Sequence, residues 1–475
     1  MKLLRSWRGR WPRCEHAALQ FLHAAVLLRL RLEAWQAIAL ARLTGRPAPP
    51  RVIATACWHF PIYSQTFVQQ EAAALAGAGF ELRFFHAQTR PRSELAHPCA
   101  LLWRRRRRLI LHRLCGAADL HYFRSRDPAG VERLLQTLGA ATGLADAALL
   151  QHDHVLQAFS FARAAQAWRA DYLHSYFFYE QSLFVWVAAS LLGLPRGISC
   201  YADHVLDDYP LKAVRLQLAG SAVTIAASRR IGQELAALHG GPLSSLLVKP
   251  NAVDTASFAP HRRAAPRSAG LRLVSACRLD PKKGLEYLID ALALLQKQGL
   301  SVQLRILGAP DAHSMTAAAY AAALRTQVSA LALDERVQFL GQCDSRQIRH
   351  ELGIADAFVA PFVELANGDK DGIPTALLEA MAAGCAIVAT DAGSIPEIVD
   401  DGVEALIVAQ RDAPALANAL SRLAGAPVLV QALGEAAARR ARQEFDVVTC
   451  EQPFHAAVHE AVRRSAIGLG REGRA

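Results

Sequence analysis

The sequence predicts an α/β protein with two Rossmann-like, doubly wound domains, and three observations lead to this prediction. β-like apolar runs alternate with helical patterns in both halves of the chain. A polar segment rich in helix breakers separates the halves, and 475 residues suffice for two complete cores. Because ligands of such parallel sheets bind beyond the carboxyl ends of the strands, the two domains are expected to face a central cleft.

The first domain is predicted over residues 51–256. Short apolar runs indicate strands at residues 52–57, 80–86, 147–151, 196–201 and 222–226. One helix is predicted at residues 64–76, capped by Ser64 and ended by Gly77, and another at 183–192. This alternation favours a parallel sheet covered by helices.

The linker is predicted at residues 257–270, where Pro260 and Pro266 interrupt any regular pattern. The second domain follows over residues 271–445. Its predicted strands are 271–277, 302–307, 337–340, 357–360, 386–390 and 405–408. Its predicted helices are 285–298, 317–331, 345–352, 375–383 and 413–423. Residues 446–475 are expected to form a helix, which could cross back to the first domain, and a tail.

Positive charge is concentrated at the N-terminal end. The net charge is +11, and residues 1–51 hold ten lysines and arginines against two acids, a net of +8 that leaves +3 for the rest. A second basic cluster lies at residues 104–108. Such charge suits anionic lipid, nucleic acid or an acidic substrate, and a solvated arginine surface accounts for it equally well.

Residues 1–50 are predicted to form a basic, partly amphipathic extension. The apolar run 17–28 is too short to span a bilayer, and no cleavage-like site follows it. Apolar residues recur at roughly helical spacing with arginines between them, at Ala24, Leu27, Leu28, Leu32 and Trp35. This spacing fits a helix on a membrane surface and a helix packed on the domain about equally well.

The cysteines favour a cytosolic compartment. Nine are scattered along the chain, and none forms a C-x-x-C pair. This pattern argues against structural zinc and against a disulfide framework, so reduced thiols are the simplest interpretation.

The strongest functional signal is the segment DGIPTALLEAMAAG at residues 371–384. Pro374 suits the first position of a helix and Gly384 suits its end. Asp371 therefore lies in the loop before the helix, and Glu379 lies within it. Free backbone N–H groups at the start of this helix are expected to form an anion site, at Thr375, Ala376 and Leu377.

Glu379 is expected about 7.5 Å beyond the helix start, at ~1.5 Å per residue. Its neighbours are nearly all apolar, so a charge there is costly unless it is paired or hydrogen-bonded. A sugar diol would be a suitable partner. A buried ion pair together with a helix-start aspartate would account for the same residues.

A second signal opens the C-terminal half, where the apolar run 271–277 leads into Arg278 and then Lys283. An arginine fork and a lysine point charge at the end of a strand can converge on one diphosphate. They would stabilise the charge that develops as a phosphate leaves. A charge cluster at a helix start is the alternative interpretation.

A third signal is the pair Gly393 and Ser394, directly after the strand predicted at 386–390. Free N–H groups there and the serine hydroxyl could meet a phosphate. An ordinary strand–helix turn would look similar.

The run from Arg278 to Asp412 resembles the retaining glycosyltransferases of family 4, which have the GT-B fold. The matching motifs are RLDPKKG at 278–284, FLGQ at 339–342, ADAFVAP at 355–361, GDKDGIPTALLEAMAAG at 368–384, GSIPE at 393–397 and DG at 401–402. The N-terminal half is similar to the exopolysaccharide and lipopolysaccharide-assembly branch through FPIYSQTFV at 60–68 and PNAVD at 250–254. The resemblance covers about residues 52–455 and leaves residues 1–50 outside.

By this resemblance, four charged residues form the catalytic set. Arg278 and Lys283 would hold the diphosphate of a UDP- or GDP-linked sugar, Glu379 would bind the ribose hydroxyls, and Asp371 would contact the transferred sugar. The rest of the donor site would comprise Gly372, Ile373, Pro374, Thr375, Ala376, Leu377, Gly393 and Ser394. No metal and no cofactor are implied, and the D-x-D triplet that ends at Asp371 is interpreted as coincidental.

The chain departs from the family pattern in both halves. Asp371 stands where glutamate is usual, and Tyr201 stands where many relatives have a histidine at the floor of the cleft. Tyr201, His174 and His204, together with Ser64 in the opening loop, are the candidate contacts to acceptor or sugar. The paired glycines of many relatives are absent from that loop.

The implied reaction is sugar transfer with retention at the anomeric carbon, to a glycan or lipid-linked acceptor in cell-envelope or exopolysaccharide synthesis. Catalysis would be positional and electrostatic, with the leaving phosphate oxygen as base. The expected location is the cytoplasm, with peripheral contact to an anionic plasma membrane and no nucleic-acid partner. The alternatives are a catalytically weak nucleotide-sugar-binding scaffold in an assembly complex and another GT-B enzyme such as a sugar epimerase.

Overall fold

The computed structural model describes residues 12–56, 60, 65–87, 100–258, 270–311 and 314–472. They form two compact units. The first unit extends to Ala226 and includes Gln233–Leu247 and the chain from Pro453, whereas the second comprises Ala227–Gly232 and Val248–Gln452. Most of the predicted linker, residues 259–269, lies outside the described residues.

A parallel sheet forms the centre of the first unit, with the strand order β3-β2-β1-β4-β5-β6-β7 among the described residues. The strands are β1 (Arg51–Thr55), β2 (Glu81–His86), β3 (Arg106–Arg108), β4 (Tyr172–Tyr176), β5 (Arg196–Cys200), β6 (Val223–Ala226) and β7 (Leu246–Val248). The helices are α1 (Pro12–Thr44), α2 (Thr66–Gly77), α3 (Ala100–Arg105), α4 (Arg113–Arg124), α5 (Pro128–Thr142), α6 (Asp146–Gln151), α7 (Asp153–Trp168), α8 (Glu180–Leu192), α9 (Val214–Leu218) and most of α10 (Arg229–His239). The first residues of α10, up to Gly232, belong to the second unit.

The second unit has a parallel sheet with the order β10-β9-β8-β11-β12-β13. Its strands are β8 (Leu271–Ala276), β9 (Val302–Leu307), β10 (Val337–Gly341), β11 (Ala357–Ala360), β12 (Ala386–Thr390) and β13 (Ala405–Val408). Its helices are α11 (Leu285–Lys297), α12 (Met315–Ala330), α13 (Ser345–Ile354), α14 (Thr375–Ala382), α15 (Ala413–Gly425), α16 (Pro427–Glu444) and the start of α17 (Val447–Glu472).

Both sheets have the strand order of a doubly wound fold, so the prediction of two Rossmann-like domains is confirmed. The order reverses between β1 and β4 in the first sheet and between β8 and β11 in the second. Apolar side chains of the helices and strands bury both faces of each sheet.

The strand predicted at residues 147–151 is wrong, because these residues belong to α6. Only Leu149 of that run is buried, as suits a short surface helix, whereas a central strand would be buried throughout. The central strand is β4, which the sequence did not predict because it contains His174 and Ser175. All five residues of β4 are buried.

The N-terminal extension includes α1, which packs on the first unit with one face. Leu27, Leu30 and Ala34 join the buried cluster of that unit. No single helix in the described ranges is long and apolar enough to cross a membrane. The pair α15 and α16 reaches that length and composition together, but it is bent by 105°, and both helices bury apolar residues in the second unit.

Candidate functional site

Two loops with charged residues lie at the carboxyl ends of neighbouring strands in the second unit. β8 pairs directly with β11, at the point where the strand order reverses. Arg278 and Lys283 follow β8, and Asp371 lies between β11 and α14. Because parallel strands end at the same edge of a sheet, the fold brings the predicted cations and Asp371 together.

The turn after β8 requires a glycine. A short 3₁₀ helix at Pro281–Lys283 is capped by Asp280, whose carboxylate accepts the N–H of Lys282. Gly284 then has φ 57°, in the left-handed region, and a Cβ at this position would lie 2.1 Å from the carbonyl oxygen of Pro361. The close approach fixes the direction of Lys283 against the loop that follows β11.

Lys283 and Asp371 form an ion pair in which the side chains are only 10% and 18% exposed. The Lys283 ammonium also lies 4.2 Å from the centre of the Phe362 ring. Burial alone would raise the pKa of Asp371, but Lys283 and Lys282 outweigh it, and Arg278 acts in the same direction. The pKa therefore lies below its ordinary value, and Asp371 is held ionised.

Lys282 pairs with the other aspartate of the D-x-D triplet. Its Nζ lies 2.9 Å from Asp369 and 3.9 Å from Asp371. Both carboxylates of the triplet thus face lysines. In the described part of the chain, no group of three or more histidine, cysteine, aspartate or glutamate side chains is arranged to hold a metal ion. Metal independence stays a prediction.

Helix α14 begins at Thr375, as predicted from the helical pattern, but Pro374 is not its first helical residue. Pro374 is its N-cap, with extended backbone angles, and the helix starts at Thr375. The N–H of Leu377 donates to the carbonyl of Pro374 at 3.0 Å, so it is not the free donor that we predicted. Among the described residues, the N–H groups of Thr375 and Ala376 have no acceptor. The anion site at this helix start therefore has two free N–H donors instead of the three that we predicted.

The side chains of the predicted donor site face different surroundings. Ile373 and Leu377 are buried in the apolar cluster of the second unit. Their side chains therefore face the core and do not line a donor site. Gly372 and Pro374 are also buried, whereas Ala376 is half-buried.

Asn251 holds the start of α14 and was not predicted to do so. This buried side chain donates to the carbonyl of Ile373 at 2.7 Å and lies 3.4 Å from the Thr375 hydroxyl. Its place in the PNAVD motif was the available signal. The contact that explains it joins residues more than 120 positions apart, which no local pattern shows.

Glu379 is half-buried, and its carboxylate has no hydrogen-bond or ion-pair partner among the described residues. Burial raises the pKa of this group to about 7, and the positive charge of Arg349 only partly opposes the effect. A carboxylate in this environment can accept hydrogen bonds from a ligand with neighbouring hydroxyl groups. The contact predicted between Glu379 and the ribose hydroxyls stays a prediction.

The phosphate contacts predicted for Gly393 and Ser394 are not available in this structure. The N–H of Gly393 donates to Glu364 at 3.0 Å, and the buried Ser394 hydroxyl donates to Ser228 at 2.8 Å. Both polar groups are therefore used within the protein. Gly393 has φ 62°, and a Cβ there would lie 2.3 Å from the carbonyl oxygen of Asp371, so this turn supports the Asp371 loop instead.

Arg230 is a second residue that the sequence did not single out. Its guanidinium lies 3.5 Å from the Asp371 carbonyl, 3.4 Å from the Ser394 hydroxyl and 3.4 Å from the Glu364 carboxylate. The N–H of Arg230 donates to Glu397 at 2.9 Å. Arg230 thus adds a cation next to the backbone of the Asp371 loop.

In the first unit, the structure does not support a sugar contact by His174. The imidazole is completely buried. Its Nε2 lies 2.8 Å from the Ser199 hydroxyl, and its Nδ1 lies 3.2 Å from the Tyr172 hydroxyl. Both ring nitrogens are therefore engaged inside the sheet.

Tyr201 is half-buried, and its hydroxyl donates to Glu71 at 2.9 Å. Glu71 is 1% exposed and also accepts from the Ser199 hydroxyl at 3.0 Å. The sequence missed this glutamate. The available signal was an acid on the apolar helix α2, where an unpaired charge would be costly.

His204 is also held internally. Its Nδ1 lies 3.2 Å from the Cys200 sulfur, its Nε2 lies 2.8 Å from Glu234, and the ring is fully buried. The role predicted for it at the sugar is not supported, because both ring nitrogens are engaged inside the protein. Ser64, the last candidate of this group, lies outside the described residues.

Comparison with known proteins relates the second unit to one family. Residues 270–426 match the family model of glycosyl transferases group 1. The chain is 36% identical over 182 residues to WcaL of Escherichia coli K12, a glycosyltransferase assigned to colanic acid biosynthesis. It is 31% identical over 251 residues to AmsK of Erwinia amylovora, a glycosyltransferase of amylovoran biosynthesis.

These alignments cover part of each protein. They include 38% and 53% of this chain, and 43% and 59% of WcaL and AmsK respectively.

The crystal structure of HepE from Anabaena, in complex with UDP, aligns with 86% of this chain and 100% of its own length, with a TM-score of 0.61 and 16% identity. At this identity the likeness shows a shared fold.

We predict that Gly393→Ala lowers the free energy of unfolding of the second unit by at least about 2 kcal/mol. The positive φ contributes strain, and the new methyl group would also meet the Asp371 carbonyl. Urea unfolding measures this change.

The matched control is Gly402→Ala. Gly402 has φ 75°, but a Cβ there would meet no atom within 4 Å, so only the backbone strain of ~1 kcal/mol remains. Equal losses in the two variants would contradict a steric role of Gly393 against the Asp371 loop.

Proposed function

We propose that this chain, whose residues 270–426 form a glycosyl transferases group 1 domain, is a retaining, metal-independent glycosyltransferase of family 4. It would move a sugar from a UDP- or GDP-linked donor to a glycan or lipid-linked acceptor in exopolysaccharide or cell-envelope synthesis. The observation that supports this most is the grouping of Arg278, Lys283 and Asp371 at the carboxyl ends of β8 and β11.

The cations provide a place for the diphosphate. Arg278, Lys282 and Lys283 face the carboxylates of Asp369 and Asp371, which leaves a surplus of positive charge. Arg278 has no ion pair or hydrogen bond to another residue in the described ranges. Its guanidinium can therefore bind phosphate oxygens without first breaking a contact.

The reaction would break the bond between the anomeric carbon and the diphosphate oxygen and form a bond to the acceptor hydroxyl on the same face. The cations stabilise the negative charge on the departing diphosphate. The acceptor proton passes to the leaving phosphate oxygen, so no protein carboxylate has to act as a base. Asp371, which its lysines hold ionised, would contact the hydroxyls of the transferred sugar.

Two comparisons support the substrate class. WcaL and AmsK are named for colanic acid and amylovoran biosynthesis, and HepE was crystallised with UDP. A cytoplasmic location, which the scattered cysteines without a C-x-x-C pair favour, is part of this proposal.

The proposal predicts turnover of one nucleotide sugar from a panel of UDP- and GDP-linked donors, with the anomeric configuration retained in the product. NMR of the anomeric proton measures both. Asp371→Asn should reduce kcat/KM at least about 100-fold. Asp369→Asn, a matched control that removes a neighbouring carboxylate paired with Lys282, should reduce it less than about tenfold.

Three outcomes of this assay would contradict the proposal. Inversion at the anomeric carbon would exclude the retaining mechanism. Donor binding without turnover would favour the scaffold, and formation of an epimer without any acceptor would favour an epimerase.

The raised pKa of Glu379 predicts that donor affinity increases with pH. Ribose hydroxyls donate to the ionised carboxylate, so below a pKa of about 7 the group must lose a proton before it can bind the ribose. The Kd of a nucleotide sugar should fall by up to about tenfold per pH unit from pH 5.5 toward pH 7 and then level off. Calorimetry measures this dependence, and a nucleotide sugar suits the test because its diphosphate diester does not titrate there.

Glu379→Gln is the comparison variant for this experiment. It should bind the donor more weakly at pH 8 and show a flat pH dependence. A wild-type Kd that does not vary between pH 5.5 and 8, or the same slope in both proteins, would exclude Glu379 as the ribose contact.

A further inference from the structure

Helix α1 exposes a continuous line of large apolar side chains. Its members, which we call the α1 stripe, are Phe21 (74% exposed), Leu28 (57%), Leu32 (55%), Trp35 (64%) and Leu43 (86%). Intervals of 7, 4, 3 and 8 residues return to the same side of a helix with 3.6 residues per turn. The stripe is therefore about 33 Å long at ~1.5 Å per residue. An apolar surface of this length on a soluble protein marks an interaction site.

The opposite face of α1 is fixed to the first unit, so the helix cannot roll to bury the stripe. Leu27, Leu30 and Ala34 are buried in the apolar cluster of that unit. The carboxylate of Glu33 accepts from Arg83 at 3.0 Å and from Arg107 at 2.9 Å. These contacts hold the helix along its middle and leave the α1 stripe facing solvent.

Arginines flank the stripe. Arg29, Arg31, Arg42 and Arg46 are all exposed. The acids of residues 1–51 are Glu15 and Glu33, and Glu33 is already bridged by arginines.

The structure also joins the two basic clusters that the sequence shows separately. The bond from Arg107 to Glu33 places the run 104–108 beside α1. Within that run, Arg104 and Arg108 are exposed. The stripe and both clusters therefore belong to the same part of the first unit.

We propose that α1 docks the first unit on the surface of an anionic lipid bilayer, with the helix in the plane of the interface. The α1 stripe would enter the boundary between headgroups and acyl chains, and the flanking arginines would bind lipid phosphates. Long arginine side chains can reach the headgroups while their stems lie on apolar surface. This docking goes beyond the proposed transferase activity and does not rest on it.

The charges favour lipid over a second copy of the chain. Helices that pair through an apolar stripe usually have flanking charges of both signs, which form salt bridges between the partners. The α1 stripe is flanked by arginines, so two copies face to face would bring like charges together. An anionic bilayer meets the same surface with complementary charge.

The test is co-sedimentation of the full chain with extruded vesicles. We expect binding to vesicles of phosphatidylcholine and phosphatidylglycerol (3:1), and much weaker binding to phosphatidylcholine alone or at 0.5 M salt. The variant Phe21→Ser/Leu28→Ser/Leu32→Ser/Trp35→Ser should reduce the partition coefficient at least about tenfold. Arg31→Gln/Arg42→Gln/Arg46→Gln should reduce it by roughly fivefold for each arginine.

The matched control is Met315→Ser/Val428→Ser/Val448→Ser. These residues of the second unit are 87%, 81% and 66% exposed, so the control removes apolar surface of similar exposure that does not belong to α1. Its partition should equal that of the wild type. Trp35→Ser alone serves as a second variant if the fourfold variant does not show a native circular dichroism spectrum.

Two results would overturn the proposal. One is the absence of vesicle binding by the wild-type chain, and a lipid-free dimer in sedimentation equilibrium that the stripe variant dissociates would then show that the stripe joins two copies. The other is equal binding by the wild type and the stripe variants. Neither result depends on a donor or an acceptor, so both are separate from a failure of the transferase proposal.

Discussion

The ion pair between Lys283 and Asp371 is the interaction on which the arrangement of the candidate site depends. It joins the loop after β8 to the loop after β11 at the point where the strand order reverses. A buried pair of this kind is stable only if further contacts fix both partners. On the lysine loop, the close approach of Gly284 to the Pro361 carbonyl is such a contact. On the aspartate loop, the close approach of Gly393 to the Asp371 carbonyl is another.

The two carboxylates of the motif at residues 371–384 lie in different electrostatic environments. Asp371 lies among cations, and its pKa is lowered. Glu379 lies on the apolar helix α14, and its pKa is raised to about 7. Their surroundings therefore suit different roles, a permanent charge for the first and an acceptor for ligand hydroxyls for the second. An acid–base couple that acts on one bond is a poor description of this pair.

The sequence predicted the second unit better than the first for a physical reason. Parallel strands buried on both faces are short apolar runs. Four strands of the second unit, at 302–307, 357–360, 386–390 and 405–408, have the predicted bounds. In the first unit, β4 contains the buried His174, whose hydrogen bonds to Ser199 and Tyr172 compensate for its burial. The periodic pattern of apolar residues in a sequence does not show such compensation.

For the candidate site too, the sequence predicted some features and missed others. Motif spacing placed Lys283, Asp371 and Glu379 correctly on their loops and helix. The occupied N–H of Gly393 and the supporting contacts of Asn251 and Arg230 could not be predicted, because they join residues more than 25 positions apart. Local sequence patterns identify the side chains that could bind a ligand. The tertiary contacts determine which of their atoms a ligand can reach.

The most direct test of this account is the contribution of the diphosphate to binding, with and without the Lys283 ammonium. Calorimetry would give the Kd of uridine and UDP, and of guanosine and GDP, for the wild type, for Lys283→Met and for the exposed control Lys297→Met. We expect the diphosphate to tighten binding at least about 100-fold in the wild type and in the control. In Lys283→Met this gain should fall at least about tenfold, with the nucleoside Kd unchanged. An undiminished gain in Lys283→Met would contradict the account.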